Sequence, residues 1–306
     1  MGRQRRHRGK PIHGIVVLDK PLGMSSNAAL QSVKNRLHAA KAGHTGSLDP
    51  LATGVLPLCF GEATKLSSYL LDSDKRYLAT AALGRATSTG DAEGDVINTL
   101  PVPPLTNECV TTALQAFIGE IEQIPPMHSA IKYQGQPLYK LARKGIEIER
   151  QPRKIHIYTL DLIDIQDNEL ILDIRCSRGT YIRTLVEDIA EKLGTCGYLS
   201  ALRRIQVGNF TEDMALSMQQ LTELAEQGEQ SLMSALLPPE TAVSEWPQLQ
   251  LSDDTAFYLR QGQAVFVPNA PSSGQVCLFG ADAKFIGLGA IQDDGKVAPK
   301  RLFNLI

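Results

Sequence analysis

The strongest constraint on this chain is a run of twelve residues, 43–54, with the sequence GHTGSLDPLATG. The run combines three glycines and one proline with a single histidine, His44, and a single carboxylate, Asp49. Glycine adopts backbone angles that other residues disfavour, and proline keeps the residue before it out of the helical region. We therefore predict a rigid, irregular loop that presents Asp49. Catalytic groups are often found on loops of this kind.

Two interpretations of residues 43–54, here called the signature loop, follow from the residues alone. A phosphate-binding loop of the Walker type requires a lysine after its last glycine, and the required position holds no lysine. We reject that interpretation. A plain structural turn, in which Asp49 caps a neighbouring segment, remains open because Asp followed by Pro is a common turn signal.

The rest of the chain mixes strand and helix patterns without a strict β-α-β alternation, so we predict an α+β fold. The clearest element is a helix over 180–193, where apolar residues recur at helical spacing and Gly194 is the expected end. The sequence predicts strands over 14–18, 55–60, 76–83, 155–165 and 170–176, and further helices over 26–37, 63–71 and 107–117. Residues 238–247 suggest a linker, and the last sixty or so residues read as short strands separated by turns.

The composition excludes several classes of protein. The chain has 306 residues, which favours two domains, and it contains no apolar run long enough to span a membrane. Its five cysteines are scattered, odd in number and never spaced as Cys-x-x-Cys. This pattern favours reduced thiols in the cytoplasm over disulfides or structural zinc. We expect a cytoplasmic protein without a bound metal.

The signature loop resembles, at all twelve positions, the signature of the bacterial tRNA pseudouridine-55 synthase family. Six further segments resemble other motifs of that family, in the family's order: residues 14–26, 74–77, 125–132, 135–143, 176–183 and 202–204. The resemblance implies the pseudouridine synthase fold, with a mixed, mainly antiparallel sheet flanked by helices and a small β-rich PUA-like domain. It also implies a basic arm at 1–11, a catalytic domain at 12–246 with an RNA-gripping insertion near 123–154, and the PUA-like domain at 247–306.

The resemblance implies isomerisation of uridine 55 in the T-loop of tRNA to pseudouridine. That reaction breaks the bond from uracil N1 to ribose C1′ and joins C5 to C1′, and it needs a carboxylate, here Asp49. Arg183 is the implied cation beside Asp49, since a guanidinium can hold a carboxylate with two bonds. Tyr77 is implied to stack on the flipped base and to take part in proton transfer. Without the resemblance, Arg183 would be an ordinary arginine at a helix end, and Tyr77 a packed core residue.

The same resemblance implies that further side chains bind substrate, namely His44, Tyr181, Leu202, Lys20, Lys132 and Arg143. For Tyr181 and Leu202 simple core packing remains an alternative, and for His44 a bond to loop backbone. No cofactor is expected, because an isomerisation involves neither net redox change nor hydrolysis. We expect a monomer whose partner is the T stem-loop of tRNA.

The charge distribution bears on the RNA partner. The formal net charge is −2, although nucleic-acid-binding domains are usually basic. Basic residues are nevertheless clustered in the arm at 1–11, in the stretch 132–154 and around the motifs after residue 174. One such cluster alone would be typical of a solvated surface. Three clusters beside the catalytic motifs favour a phosphate-binding face.

Two positions depart from the family pattern. His128 stands where the family usually has an aromatic residue, and Ser88 where it often has aspartate. Three functions therefore stay open: a stand-alone tRNA isomerase, the catalytic subunit of an RNA-guided pseudouridylase, and a non-catalytic RNA-binding or RNA-folding module. The chain's own arm and insertion favour the first, and the intact Asp49, Tyr77 and Arg183 disfavour the third.

Overall fold

The computed structural model describes residues 9–305, and a ten-stranded sheet is its largest element. Up to residue 217 the strands are β1 (Gly14–Lys20), β2 (Ala42–His44), β3 (Ala52–Phe60), β4 (Lys75–Leu83), β5 (Arg85–Thr87), β6 (Val96–Thr99), β7 (Gly119–Gln123), β8 (Lys132–Tyr133), β9 (Gln136–Pro137), β10 (Arg153–Gln166), β11 (Glu169–Cys176), β12 (Gly197–Val207), β13 (Phe210–Thr211) and β14 (Leu216–Ser217). The helices up to residue 233 are α1 (Ser26–Arg36), α2 (Ser67–Asp72), α3 (Asn107–Gln115), α4 (Leu138–Ala142), α5 (Ile182–Lys192), α6 (Met218–Glu226) and α7 (Glu229–Met233).

The large sheet has the order β14-β1-β3-β12-β4-β11-β10-β7, with β13 paired to β12 and β2 paired to β3. Only the contacts of β1 with β14 and of β12 with β3 are parallel among the pairs of this sheet in residues 9–305. The predicted mixed, mainly antiparallel sheet is thus confirmed. Strand β12 was not predicted, yet it lies at the centre, where it joins the end of the signature loop to β4.

Helices cover the sheet where the chain supplies apolar stripes. The predicted helix at 180–193 is α5, whose residues Leu185, Val186 and Ile189 are fully buried against β4, β11 and β12. Gly194 follows it at φ 83°, in the left-handed region that glycine favours. The helix begins at Ile182, so Tyr181 precedes it. Arg183, in the first turn of α5, is itself buried, with 6% exposure.

The first helix follows its sequence signal closely. Ser25 is its N-cap and accepts a hydrogen bond from the backbone N–H of Ala28, as a serine before an apolar-periodic segment predicts. The helix predicted over 63–71 is instead a 3₁₀ turn, Gly61–Leu66, that leads into α2. Among residues 9–305, no helix is long and apolar enough to cross a membrane.

The C-terminal residues form a separate four-stranded sheet of β15 (Gln248–Gln250), β16 (Gln275–Phe279), β17 (Phe285–Ile291) and β18 (Val297–Leu302). The predicted β-rich unit is therefore confirmed, although it also contains an unpredicted helix, α8 (Asp253–Arg260). The supposed linker is packed: Ala242 and Val243 are buried in one cluster with Phe285 and with core residues of β1 and β3. Of the expected basic arm, residues 1–8 lie outside the described part of the chain.

Candidate active site

The signature loop takes the irregular path that its glycines predict. Gly46 and Gly54 have φ angles of 96° and 100°, where a side chain is strained. A Cβ on Gly54 would lie 2.2 Å from the carbonyl oxygen of Arg204, so only glycine fits against β12. The loop is tied down by a hydrogen bond from the N–H of Gly23 to the carbonyl of Pro50, at 2.8 Å. Asp49 is thereby presented with 45% of its side chain exposed.

Arg183 connects two carboxylates that are far apart in the sequence. Its Nη2 lies 3.2 Å from Oδ2 of Asp49, so the expected ion pair is present, and its Nη1 lies 3.2 Å from Oδ2 of Asp91. It also donates to the backbone carbonyls of Thr89, at 3.1 Å, and His128, at 2.7 Å. With four acceptors around a side chain that is 8% exposed, the guanidinium is held in one orientation.

The electrostatic setting of Asp49 is balanced between opposing effects. Burial raises the pKa of Asp49, the nearby Arg183 lowers it, and the Asp91 carboxylate raises it again. The net direction is upward, while the favourable contact with Arg183 supports the ionised form. The raised pKa makes Asp49 more basic than a fully solvated aspartate, and the contact with Arg183 orients its carboxylate.

Asp91 is the site residue that the sequence reasoning did not identify. It is 2% exposed and accepts hydrogen bonds from Thr89 Oγ1 and from the N–H of Glu93 besides its contact with Arg183. The only signal for Asp91 in the sequence is the stretch 87–91, in which Ser88 departs from the family pattern. That serine, Ser88, is exposed and accepts from the N–H of Asp95, so the departure from the family pattern stays outside the network.

Tyr77 lies on β4, directly opposite Arg204 of β12. Its ring packs against the same core cluster as Leu202, which pairs with Ala52 and Ala79 on the flanking strands. Burial raises the pKa of Tyr77, and the guanidinium of Arg204 opposes that shift. Leu202 is thus paired with the end of the signature loop, and Tyr77 lies two residues along β4 from its other partner, Ala79.

Lys20 and His44 lie behind the loop. Lys20 is fully buried and its ammonium donates to the carbonyls of Met24, at 2.6 Å, and Pro21, at 3.0 Å. Burial lowers the pKa of Lys20 to about 8, partly offset by Asp49. His44 is half-buried, burial lowers its pKa, and its Nδ1 is buried without a hydrogen-bond partner among residues 9–305. The alternative of a His44 Nδ1 bound to loop backbone is therefore not observed.

Tyr181 is positioned by a side chain from the start of the insertion. The amide of Gln123 accepts from the N–H of Tyr181, at 2.8 Å, and donates to its carbonyl, at 3.0 Å. This pair of bonds fixes the start of α5 relative to β7, and with it the position of Arg183. Burial raises the pKa of the Tyr181 hydroxyl.

Lys132 and Arg143 do not join this cluster. Both are exposed on the β8–β9 hairpin and α4 region, and neither forms an ion pair within the described part of the chain. Arg143 lies over the ring of Tyr139, 5.7 Å from its centroid. His128 touches the cluster through its carbonyl, which accepts from Arg183. The insertion is thus linked to the centre by the His128 carbonyl and the Gln123 side chain, while Lys132 and Arg143 face solvent.

The cluster offers a carboxylate, a buried cation that orients it, and a phenol, all lined by apolar side chains. Among residues 9–305, no group of three or more His, Cys, Asp or Glu side chains has metal-binding geometry. The arrangement fits nucleophilic or acid–base chemistry on a flat, partly apolar substrate.

Solved structures share this fold. The chain superimposes on a chain of a Cbf5–Nop10–Gar1 complex with a TM-score of 0.75 and 24% identity, covering 95% of this chain and 85% of that one. A chain of an H/ACA ribonucleoprotein bound to a substrate RNA with 2′-deoxyuridine gives a TM-score of 0.73 and 22% identity, covering 98% and 91%. At these identities the likeness concerns the fold alone.

Sequence relatives are more informative. The chain is 53% identical over 302 residues to tRNA pseudouridine synthase B of Nitrosococcus oceani, covering 99% of this chain and 98% of that protein. It is 50% identical over 294 residues to the protein of the same name from Coxiella burnetii, covering 96% and 95%. Family models match most of the chain: the TruB family pseudouridylate synthase N-terminal domain at 34–182, the tRNA pseudouridylate synthase B C-terminal domain at 183–244, and the pseudouridine synthase II TruB C-terminal model at 247–303. The chain therefore belongs to the TruB family of pseudouridine synthases.

Proposed function

We propose that this protein converts uridine 55 in the T-loop of tRNA to pseudouridine, with Asp49 as the group that acts on the reacting nucleotide. The observation that carries the proposal is the half-exposed Asp49 carboxylate held 3.2 Å from a buried Arg183. A substrate in the tRNA class is supported by the two relatives, both named tRNA pseudouridine synthase B.

The reaction requires that uracil leave ribose C1′ through N1, turn, and rejoin through C5. Asp49 acts as nucleophile or base during this exchange, and Arg183 keeps it ionised and oriented. One proton must leave C5 and one must reach N1, so the sum of the reaction is an isomerisation. Neither oxidant nor hydrolytic water is consumed.

The target base must leave its stack before Asp49 can reach it, which costs a few kcal/mol. We assign Tyr77 to stack on the extruded uracil and to take part in moving the C5 proton. Tyr181 and Leu202 line the base pocket, with Lys20 and His44 behind it. Lys132 and Arg143 contact RNA phosphates from the insertion, where their exposed charges are free of ion pairs within residues 9–305.

The test is to incubate purified protein with an unmodified tRNA transcript, without any added RNA, and to map pseudouridine along the product. The proposal predicts modification at position 55 and at no other uridine. Modification that appears only when a guide RNA is supplied would favour the RNA-guided alternative. Tight binding without any pseudouridine would favour the non-catalytic alternative.

A further inference from the structure

Arg204 is a buried cation that the proposed reaction leaves unexplained. Arg204 is 1% exposed, and among residues 9–305 its guanidinium forms no ion pair with a carboxylate. Its neighbour Arg203, by contrast, is 37% exposed and paired with Asp19 and Glu212. An unpaired buried charge is costly, so the fold must gain something specific from placing Arg204 here.

The hydrogen bonds of Arg204 hold both sides of the signature loop. Its Nε donates to the carbonyl of Val55, at 2.8 Å, and its Nη2 donates to the carbonyl of Gly46, at 3.2 Å. These acceptors lie three residues before Asp49 and six residues after it. Because one planar guanidinium reaches both, the two arms of the loop have a fixed spacing.

The same guanidinium lies against the phenol of Tyr77, its direct cross-strand partner. Arginine has only donors, so the Tyr77 oxygen can meet it only as an acceptor. The charge opposes the rise that burial causes in the pKa of Tyr77. Burial lowers the pKa values of Lys20, His44 and Lys75, and the nearby charge of Arg204 lowers each of them further.

We infer that Arg204 is a positioning residue that fixes the Tyr77 oxygen relative to the Asp49 loop and stabilises negative charge on that oxygen. The inference rests on the proposed function. In the step concerned, the phenol of Tyr77 first loses its own proton to solvent, and the phenolate then takes the proton from C5, which restores the phenol. The C–H bonding electrons return to the uracil ring, and N1 takes up a proton from solvent.

The test compares Arg204→Met and Arg204→Lys with wild type, and uses Arg203→Met as a matched control from the other side of β12. Single-turnover rates are measured on tRNA carrying uridine or 5-deuterated uridine. Binding and thermal unfolding are recorded for each variant. We expect Arg204→Met to lose roughly 10²-fold in rate, the scale of general acid–base catalysis, while binding changes little. Its deuterium isotope effect should exceed that of wild type and of Arg203→Met.

Arg204→Lys keeps the charge, but its ammonium cannot reach Gly46, Val55 and Tyr77 together. We therefore expect a smaller loss of rate than in Arg204→Met, again with a raised isotope effect. If Arg204→Met does not fold, the isotope effect of Arg204→Lys alone tests the inference. Isotope effects equal to wild type in every folded Arg204 variant, whatever the rates, would overturn the inference and leave Arg204 a purely structural residue. Failure of the proposed function would look different, because wild type itself would then form no pseudouridine at position 55.

Discussion

Replacing Arg183 by lysine separates geometry from charge at the centre of the site. The arginine serves Asp49 with Nη2 and Asp91 with Nη1, each at 3.2 Å. One ammonium cannot bridge both carboxylates. Because Asp91 is 4% exposed in its side chain and Asp49 is 45% exposed, the lysine should stay with Asp91, where an unpaired charge costs more. Asp49 then loses its orienting partner.

The size of the effect follows from the lost contact. A hydrogen bond to a charged group contributes about 1.5–3 kcal/mol, and each 1.36 kcal/mol changes a rate tenfold. The full range corresponds to a loss of about 10- to 150-fold. Solvent screening of the half-exposed Asp49 places the expected loss near the lower end. Since Arg183 lowers the pKa of Asp49, weakening the pair should raise that pKa further, and the acid limb of the rate profile should move to higher pH.

The assay is a single-turnover measurement with excess enzyme on unmodified tRNA across the acid limb, with RNA binding measured in parallel. Arg36→Lys is the control, since within residues 9–305 Arg36 bonds only Ser32 and Thr222, away from the site. The reasoning is refuted if Arg183→Lys matches wild type in both rate and acid limb while Asp49 remains essential.

Three further outcomes are expected. Tyr77→Phe should bind tRNA but lose most turnover, whereas Tyr77→Ala should lose both; a fully active Phe variant would leave Tyr77 with stacking alone. Burial lowers the pKa of Lys75 from 10.5 to about 8, so its stabilising contribution is present above pH 10.5 and is lost as pH falls through 8. In urea unfolding, the free energy of unfolding of Lys75→Met should therefore rise relative to that of wild type, by up to ~1.4 kcal/mol for each unit that the pH falls. The exposed variant Lys300→Met should show no such gain. RNA affinity should fall steeply with salt, and the slope should flatten by about 0.9 per lost phosphate contact when exposed insertion cations are neutralised; an unchanged slope would place the RNA on another face. The cations to neutralise are Lys132, Lys140, Arg143 and Lys144.

Local signals in the sequence account for much of the fold. A serine cap indicates the start of α1, and the stripe of α5 is readable because its buried residues recur at helical spacing. The signature loop was predictable because glycine and proline act on the backbone locally. In each case the physical cause lies within a few residues of its effect.

The unpredicted parts depend on contacts that are distant in sequence. Strand β12 does not show a clear apolar alternation, because one of its buried positions holds the charged residue Arg204. The hydrogen-bond partners of Arg204 are carbonyls of Gly46 and Val55, about 150 residues away. Asp91 lies 92 positions from Arg183, and nothing near it in the chain indicates that partner. The packed segment after Pro238 has the composition of a linker, because its apolar residues are few, and their burial comes from β1, β3 and β17.

The carboxylate of Asp49 is the group on which the proposed reaction depends most directly. The decisive measurement compares tritium release from tRNA labelled at uridine C5 by wild type and by Asp49→Asn, with tRNA affinity determined for both. Asparagine keeps the shape of the side chain but removes the charge. We predict that Asp49→Asn binds tRNA within a few-fold of wild type and releases no tritium above background. Release at a near wild-type rate would contradict the central claim, because the reaction would then proceed without the Asp49 carboxylate.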